Sequence, residues 1–351
     1  FIPRDDISNE DAADLVKAVK TKVMSEMAYG KLFTVMLKAA DVGFQIVLTG
    51  DPSEYTIDPV FENWNNAKNL LIYFPATGKY LAPTEVEYRY PWVPPYWGGA
   101  QGLFCVTTTI GNFTTALAEV KKVALEDYDH SYSNMAIKVK LDKDETLLLD
   151  VKQLYGGYTA VNYKAPFTFL PAEEQNKVLK ELVKFSTNSE NLLSHRLENA
   201  QLDMDDPYLP FIIHAQVRST QLLERAGNKY LLKIGSLIGE QVEMYDTRPR
   251  ETKIDINYPH ALVRDIELEI PDGYEIKNLS DLNFNIAYKE NNNVTMGFVC
   301  TYEQKENKLK IKIQEDYRNM DYPVQQYEAF KKVINAAADF NKVVLILDKK
   351  S

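Results

Sequence analysis

The spacing of apolar positions divides the chain into a short part with helical periodicity and a longer part with strand periodicity. Apolar residues recur at helical intervals over residues 15–23 and 29–40, which predicts two helices that each bury one face. Short apolar runs at 46–48 and 69–74 predict two buried strands between turn residues. Helices followed by a small sheet are typical of an α+β unit.

The strand periodicity begins after residues 91–99, a segment with three prolines and two glycines that predicts a loop or domain junction. Apolar and polar residues then alternate in a series of segments: 135–141, 213–217, 266–270, 282–286, 294–302 and 309–313. Such segments are typical of antiparallel strands with one solvated face.

Two helices are expected to interrupt these strands, one from Pro171 and one from about Tyr322, and Gly156-Gly157 reads as a bulge or strand corner. The predicted fold class is therefore α+β. A short module at residues 1–98 precedes a large antiparallel β-sandwich domain with two helices at residues 99–351.

Composition narrows the classes of function. The 351 residues carry a net charge of −10 and include only two cysteines and four histidines. Two cysteines cannot build a disulfide framework or a zinc cluster, and the acidic balance argues against nucleic acid as a partner. No apolar run approaches the roughly 18 residues of a membrane span. No metal or cofactor site is predicted, and because the chain begins with Phe1 we expect it to be processed or part of a longer protein.

The few nucleophilic and basic side chains do not form a recognisable motif. Cys300 lies in register with apolar strand residues and is interpreted as a core cysteine. Cys105 follows the glycine-rich junction, and the nearest imidazole in sequence is His130, beside Asp127 and Asp129. A nucleophilic pair Cys105/His130 stays open as an alternative to a structural cysteine.

Aromatic residues are the enriched feature that suggests binding. The three tryptophans fall within 34 residues, and with one tyrosine they give the candidate ligand-binding set Trp64, Trp92, Tyr96 and Trp97. Tryptophan and tyrosine among prolines form a plausible platform for a sugar or a peptide. The alternative is that these rings are buried between the two domains.

The order of elements in residues 25–84 resembles the transglutaminase-like superfamily of papain-like proteins. Residues 29–40 resemble its core helix, 45–49 the strand that follows, 61–73 its histidine-bearing strand, and 80–84 its Asp-Pro-Thr strand. Asn69 then lies nearest the position of the family's histidine, and Ala82 lies where the family has its aspartate. The cysteine position falls near residues 26–28, but residues 1–104 contain no cysteine and residues 1–129 contain no histidine.

Features further along resemble bacterial transglutaminase-like proteins with flanking β-domains of unknown function. These are Arg248-Pro249, the segment Pro271-Asp272-Gly273-Tyr274, and the segment from Tyr322 to Phe330. The resemblance implies a fold of this superfamily whose catalytic triad is lost, with Asn69 and Ala82 as vestigial positions. It implies a binding or scaffolding role outside the cytoplasm, with a peptide, protein or glycan as partner. A cysteine protease or amidase, with its site at Cys105/His130 or in an upstream domain, is the alternative.

Overall fold

The computed structural model describes residues 2–3 and 14–350, apart from 53, 55, 56, 62, 89, 143 and 204. The chain forms two compact units, an N-terminal unit, Phe1–Leu125, and a C-terminal unit, Glu126–Ser351. This boundary lies 27 residues beyond the predicted one after residue 98, because two long strands that follow the junction join the first sheet by backbone pairing.

The N-terminal unit begins with two capped helices. Helix α1 spans Leu15–Thr21, and the side chain of Asp14 accepts a hydrogen bond from the amide of Lys17 at 3.0 Å. Helix α2 spans Glu26–Ala39, and Ser25 Oγ accepts from the amide of Ala28 at 3.2 Å. Both caps satisfy donors that the first helical turn leaves unpaired. A short parallel pair of strands connects the start of the unit to the turn between the helices: β1 (Ile2–Pro3) and β2 (Val23–Met24).

A five-stranded antiparallel sheet follows, in the order β5-β4-β3-β6-β7. Its strands are β3 (Gln45–Thr49), β4 (Asn69–Phe74), β5 (Lys79–Leu81), β6 (Gln101–Ile110) and β7 (Phe113–Lys122). Its core contains Val47, Leu71 and Phe104, each almost fully buried. The register pairs Val47 with Leu71 on one side and with Phe104 on the other. The 91–99 junction is therefore a loop inside this unit.

The C-terminal unit is built on an eight-stranded sheet in the order β10-β11-β9-β8-β15-β19-β18-β17. These strands are β8 (Tyr132–Leu141), β9 (Leu147–Gly156), β10 (Leu192–Glu198), β11 (Phe211–Ser219), β15 (His260–Glu269), β17 (Phe284–Glu290), β18 (Asn293–Lys305) and β19 (Lys308–Tyr317). Neighbours pair antiparallel except for β8 and β15 at the centre, which are parallel.

Two smaller sheets accompany it. One is four-stranded, with β12 (Leu223–Ala226), β13 (Lys229–Leu232), β16 (Tyr274–Ile276) and β21 (Leu345–Lys349). The other pairs β14 (Ile254–Asp255) with β20 (Asp321–Tyr322). The fold class is confirmed as α+β with mostly antiparallel sheets.

Three helices, and not the two predicted, lie in the C-terminal unit. They are α3 (Gly157–Phe169), α4 (Ala172–Thr187) and α5 (Tyr327–Asn341). Helix α3 begins where a strand corner was expected, because Gly157 has a φ of +55° and turns the chain directly from β9 into the helix. Side chains of all three helices and of the four-stranded sheet share one apolar core with the inner face of the eight-stranded sheet. Among the described residues, no helix is long and apolar enough to cross a membrane.

Candidate functional site

A small cavity of about 170 Å³ lies in the N-terminal unit beside the ends of two paired strands. It is lined by residues that follow β3, by residues that lead into β4, and by the turn at Pro95–Trp97. The lining carries two acids, Asp51 and Glu54, two amides, Asn66 and Asn69, one cation, Lys68, and two aromatic residues, Tyr96 and Trp97. Three residues singled out in the sequence, Asn69, Tyr96 and Trp97, thus meet at one place.

Among the aromatic candidates whose side chains the structure describes, Tyr96 is exposed, with 45% of its surface accessible. Its hydroxyl donates a hydrogen bond to Glu85 Oε2 at 2.5 Å, and its ring meets Trp97 edge-on at 5.7 Å. Partial burial and the bond to Glu85 raise the pKa of Tyr96 well above its ordinary value. The ring is therefore held in one orientation at the cavity as a neutral phenol.

Burial changes the interpretation of the tryptophans. Trp92 is 3% exposed and Trp97 is 6% exposed, so both indoles belong to the interior and not to an open stacking platform. Trp97 packs in the same apolar cluster as Val93 and Val123, within the N-terminal unit itself. Trp64 begins a 3-10 turn that ends at Asn66, and its side chain lies outside the described part of the chain.

The positions that resemble a transglutaminase-like triad lie on elements that pack together. A Cβ placed on Gly30 in α2 would lie 2.0 Å from Leu70 Cδ2, so the start of this helix is in close contact with β4. Asn69 precedes Leu70 on that strand and is partly exposed. Ala82 follows β5 and is completely buried in an apolar cluster. An alanine side chain has no oxygen that could accept a hydrogen bond from a base, so this position does not orient one.

Cys105 and His130 lie in different units of the chain. Cys105 is half-buried on β6, and its Sγ is 3.5 Å from the carbonyl oxygen of Leu103, which accepts the thiol hydrogen. Burial raises the pKa of the Cys105 thiol, the opposite of what a thiolate nucleophile requires. His130 is exposed, and its Nδ1 is 3.1 Å from Asp129 Oδ1.

The other thiol is buried, and two further imidazoles have hydrogen-bond partners. Cys300 is buried on β18, and burial raises its pKa to about 12. His214 Nε2 lies 2.9 Å from Glu198 Oε1, and His260 Nδ1 lies 2.9 Å from the carbonyl oxygen of Tyr258. Within the described ranges no three His, Cys, Asp or Glu residues are grouped to hold a metal ion.

Sequence reasoning missed the acids of the cavity. No motif in the sequence marks Asp51, Glu54 or Lys68 as a site residue. The available signal was the position of polar residues directly after one buried strand and directly before the next. Pairing of β3 with β4, from Thr49 opposite Asn69, brings these two ends to the same edge of the sheet.

Comparison with known proteins gives one domain family and one remote structural likeness. Residues 231–347, about a third of the chain, match the model of DUF3858, a domain of unknown function with solved structures. No transglutaminase-like family model matches. The chain is also similar to a crystal structure described as a "putative protease" from Parabacteroides distasonis. That similarity has 9% sequence identity and a TM-score of 0.45, and it covers 96% of this chain and 46% of that one. The chain thus spans about half of that protein's length. No curated protein matches the chain.

Proposed function

We propose that the chain is a non-catalytic relative of the transglutaminase-like proteins and serves as a binding module for polypeptide partners. The observation that carries this proposal is the cavity at Asn69, Tyr96 and Trp97, whose lining offers hydrogen-bonding and aromatic groups but neither a thiol nor an imidazole. Acyl transfer by this class of protein requires a nucleophile and a base within hydrogen-bonding reach of each other. The lining instead supports recognition.

The chemistry of the lining favours a side chain that donates hydrogen bonds. Asp51 and Glu54 supply two carboxylates against one cation, Lys68, so carboxylates outnumber cations in the described lining. Tyr96 adds exposed aromatic surface, which attracts an ammonium group. A cavity of about 170 Å³ has room for one side chain and not for a long ligand. We therefore favour a lysine or glutamine side chain of a peptide over a glycan.

Titration with small side-chain analogues tests this assignment. The probes are N-acetyl-lysine amide, N-acetyl-glutamine amide and N-acetyl-norleucine amide, with binding followed by amide chemical shifts of the ¹⁵N-labelled protein. We expect the lysine and glutamine probes to shift resonances around Asn69 and Tyr96, and the norleucine probe to leave them in place. The double variant Asp51→Asn, Glu54→Gln should bind the lysine probe about fivefold more weakly, since an exposed ionic contact contributes about 1 kcal/mol.

A matched control is available in the same unit. Glu119 is exposed on β7, outside the cavity, and pairs with Lys121 at 2.8 Å. Glu119→Gln makes the same acid-to-amide change and should leave probe binding unaltered. Equal binding of the norleucine probe, or no binding of any probe by the folded wild-type chain, would contradict the proposal. Hydrolysis of a peptide amide by the chain that is abolished by Cys105→Ala would replace it with the cysteine-hydrolase alternative.

The place of action is proposed on the resemblance alone. Bacterial transglutaminase-like proteins with flanking β-domains act outside the cytoplasm, and we propose the same for this chain. Fractionation of the source cells, with the chain detected by antibody in periplasmic and surface fractions, tests this. Recovery in the cytoplasmic fraction only would reject it.

A further inference from the structure

A cleft of about 1060 Å³ lies in the C-terminal unit, on the outer face of its eight-stranded sheet. Seven of the eight strands contribute to its floor, all except β17. Along each strand the lining residues alternate with core residues. Ile137, Ile266 and Ile311, for example, are almost fully buried on the opposite face. The cleft therefore belongs to the solvated face of the sheet, and that face curves inward.

Two rows of side chains cross the floor at right angles to the strands, as the register of the sheet requires. In the first row, paired residues on successive strands are Arg196, His214, Lys152, Ala136, Asp265 and Lys312. In the second row, the charged residues are Asp150, Lys138, Glu267, Lys310 and Glu303. Strands lie about 4.8 Å apart, so seven strands give a floor about 29 Å long.

The charges that lack partners are mostly positive. The floor has three exposed lysines without an ion-pair or hydrogen-bond partner among the described residues: Lys138, Lys152 and Lys312. One acid of the floor, Asp265, also has no such partner among the described residues. Other charges on the floor are already paired: Arg196 with Glu198 at 2.6 Å, for example. The chain carries a net charge of −10, whereas the lining of this cleft has five lysine and arginine residues against four acids, and its unpaired charges are mainly lysines.

The floor offers no stacking surface. Tyr302 is the single Phe, Trp or Tyr among the described lining residues, and its side chain packs against the apolar core. A sugar polymer is usually held by aromatic faces, which this cleft does not present. At the centre of the first row, Ala136 is exposed and has the shortest side chain, so it leaves space between Lys152 and Asp265.

We infer that this cleft binds an acidic polypeptide segment in an extended conformation. A floor about 29 Å long accommodates about nine extended residues at about 3.3 Å each. Carboxylates of such a segment pair with Lys138, Lys152 and Lys312 in the order in which it crosses the strands. The site is separate from the cavity of the N-terminal unit, and neither assignment depends on the other.

Fluorescence anisotropy with synthetic nonapeptides tests the inference. The probes are a labelled peptide of alternating glutamate and serine and its counterpart of alternating lysine and serine. A labelled hexamer of N-acetylglucosamine represents glycans. At 50 mM NaCl we expect the glutamate peptide to bind at least tenfold more tightly than either of the others. Binding should weaken several-fold at 300 mM NaCl, because salt screens exposed charges.

Variants on the exposed face separate binding from folding. Lys152→Glu with Lys312→Glu reverses two unpaired charges, and Ala136→Trp fills the centre of the floor. Each should weaken binding of the glutamate peptide at least tenfold, while circular dichroism and thermal midpoint stay those of the wild type, since all three positions are exposed. Lys140→Glu is the matched control. Lys140 lies on the same strand as Ala136, outside the cleft, in a surface pair with Glu269 at 3.3 Å, and its replacement should change binding less than twofold.

Two results would overturn the inference. One is binding of the glutamate peptide that is unaffected by both Ala136→Trp and the double charge reversal. The other is binding of the N-acetylglucosamine hexamer in the absence of peptide binding, which would assign the cleft to a glycan.

Discussion

The two thiols give the sharpest test of whether this chain retains cysteine chemistry. Cys300 is 6% exposed within the core of the C-terminal unit, and burial raises its pKa to about 12. Cys105 is half-buried, its thiol is oriented toward the carbonyl oxygen of Leu103, and burial raises its pKa as well. Alkylation requires the thiolate, so both residues should react more slowly than free cysteine.

The size of the effect follows from the thiolate fraction. At pH 8 an unperturbed thiol with a pKa of about 8.5 is about one quarter ionised. A thiol with a pKa of about 12 is ionised to about one part in 10,000. Alkylation of Cys300 should therefore be about 2,000-fold slower than that of a free thiol, before its restricted access is considered. Cys105 should fall between Cys300 and free cysteine.

Time-resolved mass spectrometry of iodoacetamide labelling measures both rates at once. The native chain is compared with the urea-unfolded chain, in which both cysteines should react at the rate of a free thiol. Cys105→Ala and Cys300→Ala confirm the assignment of each labelled peptide. Labelling of Cys105 at pH 7 that is faster than labelling of free cysteine would refute this reasoning, because it would show a stabilised thiolate and favour a cysteine enzyme.

Three further predictions concern stability, each measured by urea unfolding. Above pH 9 the unfolded state loses the Cys300 proton while the folded state keeps it up to about pH 12. The free energy of unfolding should therefore fall by up to about 1.4 kcal/mol for each pH unit above pH 9. An equally steep fall in a Cys300→Ala variant would argue against this cause. Gly157→Ala should lower the free energy of unfolding by at least about 2 kcal/mol, because φ at Gly157 is +55° and an added Cβ would lie 2.3 Å from the carbonyl oxygen of His130. A loss below about 0.5 kcal/mol would contradict this close contact. Arg264, buried with Nη1 unpartnered, lies on β15 diagonally opposite the buried Glu315 of the adjacent strand β19. Arg264→Met should lower the free energy of unfolding by about 3 kcal/mol, because it leaves the charge of Glu315 buried without its partner. The double variant Arg264→Met, Glu315→Gln should lose much less stability. Additive losses would show that the two charges do not interact.

Local patterns predicted those strands that bury one face, and they missed strands such as β7 and β10 that are mostly exposed. Met135, Ile137 and Val139 alternate with exposed residues in the sequence, and all three are almost fully buried in the structure. Helix α3 escaped prediction because its buried side includes Gly157 and Lys164 while the apolar Phe169 is exposed, so residue type does not distinguish the buried side from the exposed one. The pair Gly156-Gly157 at its start also suggested a turn between two strands.

Features that depend on distant parts of the chain were not predictable from local pattern. The first unit extends to Leu125 because β6 pairs with β3 across more than 50 residues. The same long-range pairing buries Trp97, whose sequence context suggested an open loop. The sequence singled out Asn69 but not the acids beside it, because Asp51 and Glu54 come close to Asn69 only when β3 and β4 are paired.

The parallel pairing of β8 with β15 has a consequence for how the family match is understood. This pair joins two antiparallel halves of the large sheet, and its residues are about 130 positions apart in the chain. The matched segment, residues 231–347, contains β15, β19, β18 and β17, which form only one half. Cut out alone, that segment would keep the pairing of β15 with β19 but would make β15 an edge strand, because its pairing with β8 would be lost, and unpaired edges of this kind promote aggregation. The region defined by sequence similarity is therefore shorter than the sheet to which its strands belong. The charged rows of the cleft also cross from β8 to β15, so they are complete only when this parallel pair is formed.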